Sequence, residues 1–310
     1  MNAHDEFRRA QRRLLDRVGV RAESHFFDVP AVSGRVHVLI AGEGPPVVMV
    51  PGFADPAAMW APLMARLEGF SVYAIDRPCF GLTGPARHDT ATARKLAVMF
   101  LEQVLDALRL NQPVFVASSI GSLWSIWLSL DRADRVAAMT HVGCPAFILG
   151  TSAPLPLRLL SISPLGRLLM RLSPPSPRQV DRIAAMAGEN LSDLPELRDL
   201  LVVNQKLPGV QAAMIELLHS LVRLRGPRPE IELTPAQLAQ IRQPVQLIWG
   251  ERDPFGAPDV GRRAARIIPA AAFHAIPKAG HAPWIAHAHA VADLAVPFIR
   301  TAGRSNETEV

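Results

Sequence analysis

The sequence predicts an α/β fold: a mostly parallel, twisted sheet of about eight strands flanked by helices, with a long helical insertion. Three observations predict it. Short, continuous apolar runs end in turn residues, as strands buried on both faces do. Stretches with a 3.6-residue apolar period alternate with those runs, which calls for parallel strands joined by right-handed crossovers. Late in the chain, roughly 95 residues carry helical patterns but no strand-like run.

The elements come in chain order. Residues 1–24 are expected to form a basic amphipathic helix: Arg8, Arg9, Arg12, Arg13, Arg17 and Arg21 are set against Phe7, Leu14, Leu15 and Val18, which pack on the body. The arginines read as a solvated face rather than a surface for nucleic acid or anionic lipid. Residues 25–145 hold the first part of the core. His25–Val29 and Arg35–Ala41, separated by Ser33-Gly34, read as an antiparallel pair. The apolar run Pro46–Val50 stops at Pro51-Gly52, and Phe70–Ile75 and Pro113–Ala117 repeat that signature. Between the last two, Ala93, Leu96, Ala97, Phe100, Leu101, Val104 and Leu108 recur with helical period. A helix over Leu123–Leu130 and a strand over Val136–Val142 come next.

Residues 146–241 contain helical stretches at Leu165–Leu172, Gln179–Ala187 and Met214–Leu224, punctuated by prolines such as Pro154, Pro164 and Pro174. A structureless loop of that length is uncommon in a compact domain, so the segment is expected to be a lid inserted between two strands. Residues 242–300 complete the core with strands at Val245–Trp249 and Ala272–Ile276, and 301–310 form a polar tail. Asn306-Glu307-Thr308 in that tail matches a glycosylation acceptor by chance.

Composition narrows the class. Apolar residues make up 49% and charged residues 20%, enough to close a large core and too apolar for a disordered chain. Apolar runs stop short of the roughly 18 to 20 residues a membrane span needs, and no secretion signal opens the chain. A soluble cytoplasmic protein is expected, without integral membrane association. Cys79 and Cys144 are the only cysteines, so neither a disulfide framework nor a metal knuckle is suggested. His287 and His289 sit two residues apart, where helix geometry turns them away from each other, so no metal site with His281 is expected. No cofactor is implied.

The chemistry gathers at strand ends. In Ala117-Ser118-Ser119-Ile120-Gly121, a buried strand meets a helix, and a sharp turn there pushes one serine above the sheet. Small residues two before and two after favour Ser119; Ser118 would put Val116 and Ile120 at those places. A serine needs a base, and the base needs an acid to orient it. Trp249-Gly250-Glu251-Arg252-Asp253-Pro254 and Lys278-Ala279-Gly280-His281-Ala282-Pro283 each come after a strand and supply Asp253 and His281. Glu251 is a weaker candidate acid.

These segments resemble the α/β-hydrolase family, and the resemblance covers nearly the whole chain outside the lid. The serine turn is similar to G-x-S-x-G with Ala117 in its first place, and the order Ser, Asp, His is the family's. The resemblance implies that Val50-Pro51-Gly52-Phe53-Ala54-Asp55 is the oxyanion segment, with Pro51 replacing a histidine and the N–H groups of Phe53 and Ile120 as donors. Asp55 is read as the N-cap of a helix starting at Pro56. Asp76-Arg77-Pro78-Cys79-Phe80-Gly81 is similar to the family's D-x-P-G-x-G, with Cys79, read as a small packed residue, in a glycine's place. Ala286 stands where the family often has a glutamate. The resemblance thus implies a serine hydrolase cleaving a small-molecule carboxylic ester, and the lid's Leu, Ile, Met and Val residues, such as Leu159, Leu160, Leu168, Met170 and Met214, favour an apolar acyl or alcohol part. Thioester, lactone, amide or C–C hydrolysis, or a non-hydrolytic binding role, stay open as alternatives.

Overall fold

Burial is deepest in the middle of one sheet, where every residue of three successive strands is closed off from solvent. The computed structural model describes residues 2–305. The chain opens with α1 (Ala3–Val18), in which Phe7, Leu14 and Leu15 are buried. Gly19, at φ +75°, takes the left-handed cap that ends it. The next strand therefore starts before the expected residue 25, giving β1 (Ala22–Asp28), β2 (Arg35–Ala41) and β3 (Pro46–Val50). After β3 come a short 3₁₀ turn (Ala57–Trp60), α2 (Ala61–Met64) and β4 (Ser71–Ile75). Then come α3 (Ala93–Ala107), β5 (Val114–Ala117), α4 (Ser119–Asp131) and β6 (Ala138–Val142).

Between β6 and the next sheet strand lie α5 (Leu155–Leu160), α6 (Ser163–Leu172), α7 (Pro177–Met186), α8 (Pro195–Lys206) and α9 (Val210–Leu221). A two-residue pair, β7 (Val222–Arg223) with β8 (Gly226–Pro227), and α10 (Pro235–Leu238) complete the insertion. The helix expected to reach Leu224 thus stops at Leu221, where the backbone turns extended at Val222 to start the hairpin. The core resumes with β9 (Val245–Gly250), α11 (Pro258–Ile267), β10 (Ala271–Ile276) and α12 (Ala288–Ser305). The expected tail from residue 301 is helical as far as Ser305; Asn306-Glu307-Thr308 lies outside the described residues.

The eight strands are ordered β1-β2-β4-β3-β5-β6-β9-β10. The β1–β2 and β2–β4 pairs are antiparallel and the five remaining pairs are parallel. Parallel neighbours point their carboxyl ends to one rim, and the loops after β3, β5, β9 and β10 converge there. The helical insertion lies over this rim, and α1 packs against α8, joining the N-terminus to the insertion.

Candidate active site

Ser119 opens α4 just past β5 with φ +50°, a left-handed backbone that costs a non-glycine residue about 1–3 kcal/mol and clusters at functional turns. The neighbouring chain leaves room for nothing larger than glycine at 121, because a side chain there would collide with the Val50 and Pro51 carbonyls. Ser118 is extended (φ −130°), and its buried hydroxyl has no partner among the described residues. Ser119 faces the cavity under the insertion, as does His281.

His281 Nδ1 lies 2.8 and 3.0 Å from the two oxygens of Asp253, whose carboxylate is fully buried. The acid is itself held from two sides: Cys144 N–H donates to Oδ2 (2.8 Å) and Phe255 N–H to Oδ1 (2.9 Å). Burial alone would lower the His281 pKa, but the Asp253 carboxylate, with Asp55 and Glu189 farther off, lifts it above the ordinary histidine value. With Nδ1 held by the Asp253 carboxylate, Nε2 is the ring nitrogen left for another partner. The Phe255 ring stacks on the imidazole at 4.0 Å between centroids. Glu251 is exposed and accepts only a long bond from Lys278 N–H (3.4 Å), so the structure does not bring it to the histidine.

The Pro51-Gly52-Phe53 segment, expected to supply an oxyanion donor, has an anchor in Arg77, which stands at a variable place of the Asp76–Gly81 motif and so is not marked by it. Arg77, fully buried, donates from Nε to the Pro51 carbonyl (3.0 Å) and from a terminal nitrogen to the Gly52 carbonyl. A trans peptide points its N–H opposite to its C=O. Holding the Gly52 carbonyl therefore turns the Phe53 N–H away from Arg77. The other N–H that the resemblance implies as a donor, that of Ile120, belongs to the first turn of α4, whose N–H groups lack intrahelical partners. Phe80 and Trp124 stack on the guanidinium, and burial pulls the Arg77 pKa down to about 10.

The expected capping role of Asp55 is wrong. The turn after the oxyanion segment starts at Ala57, Pro56 makes no side-chain cap, and Ala57 N–H is satisfied by Asp76 Oδ1 (2.5 Å). Asp76 reaches it because it is also fixed by His37 Nδ1 (2.6 Å) and Leu82 N–H (2.8 Å). Asp55 is thus freed to line the cavity beside Ser119 and His281. Burial pushes its pKa up to about 6, against the opposing pull of Arg77 and His281.

Two cavities meet at Ser119. The larger, of about 710 Å³, has walls from the insertion such as Leu160, Leu169, Met170, Val180 and Met214, with Trp284 from the core. The smaller, of about 30 Å³, is bounded by Phe53, Ile120, Phe147, Leu157 and Phe255. The insertion also grips the histidine loop: His281 N–H donates to the Ala187 carbonyl (2.9 Å), and Ala282 N–H to Glu189 Oε1 (2.7 Å). Glu189, buried there, has its pKa raised to about 7.

Strand-end loops carrying a strained serine and an acid-bound histidine match a known pattern, and the sequence profile described as "Alpha/beta hydrolase family" matches residues 47–294. The chain belongs to the alpha/beta hydrolase family. Among curated relatives of this hydrolase, the pimeloyl-[acyl-carrier protein] methyl ester esterase of Shewanella sp. (strain MR-7) is 27% identical, covering 87% of this chain and 96% of the relative. The enzyme of the same name from Stenotrophomonas maltophilia (strain K279a) is 26% identical, with 85% and 96% covered. Carboxylesterase CesB from Bacillus subtilis has the same fold, with a TM-score of 0.76 at 19% identity over 96% of this chain and 99% of that one. The hydrolase from Rhodococcus sp. strain RHA1 that acts on 2-hydroxy-6-oxo-6-phenylhexa-2,4-dienoate superposes with a TM-score of 0.71 at 18% identity, covering 91% and 99%. One departure from the family pattern has a local explanation in this hydrolase. Cys79 keeps a left-handed φ of +71°, the conformation of the glycine it replaces, and its thiol accepts the Ala86 N–H (3.3 Å).

Proposed function

We propose that this hydrolase is a serine esterase: Ser119 Oγ attacks a carboxylic ester as His281 Nε2 takes its proton, and Asp253 holds the imidazole through Nδ1. Phe53 and Ile120 N–H receive the developing oxyanion. The protonated histidine then hands its proton to the leaving alcohol, and water repeats the sequence on the acyl-enzyme. The observation that carries this reading is the double contact of Asp253 with His281 Nδ1, facing a cavity shared with a strained Ser119.

The substrate assignment rests on the two cavities. An ester with one long apolar part and one small part would fill the large and the small space on either side of Ser119. The curated relatives, named as esterases of the methyl ester of pimeloyl-[acyl-carrier protein], favour the same division, with methyl as the small part. In this reading residues 146–241 act as a lid that admits the chain. The enzyme works in the cytoplasm, in keeping with two unpaired thiols, Cys79 and Cys144.

A fluorophosphonate probe tests the chemistry. The wild type is expected to be labelled and Ser119→Ala not; equal labelling of both removes Ser119 as nucleophile. A p-nitrophenyl ester series tests the substrate class, with kcat/KM rising with acyl length until the large cavity is full.

A further inference from the structure

We propose that Asp55 anchors a second subsite beside Ser119, which binds a hydrogen-bond donor or cation, a hydroxyl or an ammonium, carried by the substrate next to its scissile carbonyl. The inference rests on Ser119 as nucleophile and adds a polar requirement to an otherwise apolar substrate.

The geometry places the carboxylate at the reacting centre. A methyl group built on Gly52 would lie 3.0 Å from Asp55 Oδ2, 3.3 Å from the Ser119 Cβ and 3.4 Å from the Ser118 Oγ, so these three groups crowd around one point. Asp55 lines the large cavity, and no described residue donates a hydrogen bond or forms an ion pair to its carboxylate. Arg77 acts on it only through space, its own donors being spent on the Pro51 and Gly52 carbonyls apart from one buried nitrogen with no partner.

A carboxylate in an apolar cavity is costly unless something donates to it. Burial raises its pKa to about 6, and with no donor among the described residues the subsite calls for a donor on the substrate. An ionised Asp55 also opposes the negative charge that builds on the carbonyl oxygen a few ångströms away. A substrate ammonium or hydroxyl at this point removes that opposition and gains a charge-assisted hydrogen bond. A substrate anion at the same place adds to it. Asp55 therefore sorts substrates by the group flanking the ester carbonyl, while the apolar walls sort them by chain length.

The test uses p-nitrophenyl esters of four acids of one chain length: norleucine, α-hydroxycaproic acid, caproic acid and butylmalonic acid, the last keeping its second carboxylate free. Rates are measured at neutral pH on the full-length wild type and Asp55→Asn, with Ser119→Ala giving the background. The wild type is expected to prefer the amino and hydroxy esters over the caproyl ester by at least about 10-fold in kcat/KM. Asp55→Asn is expected to collapse that ratio and to raise the butylmalonyl rate. A wild-type ratio near one, or a ratio unchanged in Asp55→Asn, overturns the subsite; so does an equal loss on all four esters, which would make Asp55 a general catalytic or structural group. Should Asp55→Asn fail to fold, Asp55→Ser is read by the same ratios. Fluorophosphonate labelling separates the two proposals: labelled enzyme with flat ratios sinks the subsite alone, whereas an unlabelled wild type sinks the esterase reading.

Discussion

The rim of the sheet and the helical insertion hold the same cavity from opposite sides by different physics. At the rim, each acting group is fixed by directional bonds: Asp253 by two backbone N–H groups, His281 by Asp253 and Ala187, and the Phe53 peptide by buried Arg77. In the insertion, the cavity wall is mostly apolar side chains, with Gln179, Arg182, Glu189, Asn204 and Gln205 among them, and outward-facing Leu168 and Leu172 of α6 are 52% and 73% exposed. Directional bonds set angles, whereas apolar contacts set only volume. The difference teaches that changes at the rim act on the chemical step, while changes in the apolar part of the insertion act on what fits, with Ala187 and Glu189, which bond the His281 loop, belonging to the first kind.

The strongest way to break this contrast is at the triad. Ser119→Ala or His281→Ala is expected to lower kcat/KM by roughly 10⁴- to 10⁶-fold in a p-nitrophenyl ester assay, with the melting temperature nearly unchanged. A loss under about tenfold would mean the chemistry lies elsewhere. Next in size is Arg77→Met, which frees the Gly52 carbonyl and so the direction of the Phe53 N–H. A fall in kcat of about 100-fold with little change in KM is expected from steady-state kinetics, since an oxyanion donor acts in the transition state. If kcat holds, the loop is positioned by something other than the guanidinium.

Stability sharpens the same contrast. Leu247→Ala, in fully buried β9, is expected to cost about 2–5 kcal/mol by urea unfolding. Leu172→Ala, on the outer face of α6, should stay within about 0.5 kcal/mol. In the cavity wall, Met170→Trp is expected to shorten the preferred acyl chain while leaving acetyl ester rates within about threefold. The smallest effect is on pH. Asp55 and Glu189 each stabilise the charged form of His281, so removing either negative charge lowers its pKa and makes the base available at lower pH. The acid limb of kcat/KM should move down in Asp55→Asn, and by less in Glu189→Gln. Movement toward higher pH would contradict the stated electrostatics.

Much of this was legible in the chain. The central sheet strands can be read from short apolar runs, because a strand buried on both faces must be largely apolar, as residues 47–50 and 247–249 are, whereas the exposed β1 is read only from its β-type residues beside the Ser33-Gly34 turn. The candidate residues Ser119, Asp253 and His281 stand out in the sequence because each comes after such a run within a small-residue turn, and the structure brings Asp253 and His281 into contact. The short helices α5 and α8 were not, since their apolar faces are split between the cavity and neighbouring helices and leave no clean period.

Local composition was enough to set the layered fold, the strand ends and the residue types placed at them, because backbone geometry and burial act through near neighbours. It could not assign the partners of Asp55, Asp76 and Arg77. Asp55-Pro56 is a good local cap, yet Asp76, 19 residues away from Ala57, took the bond and left Asp55 to the cavity. Such choices depend on which charged groups meet after the chain has closed, and electrostatic pairing across the sheet leaves no periodic trace along it.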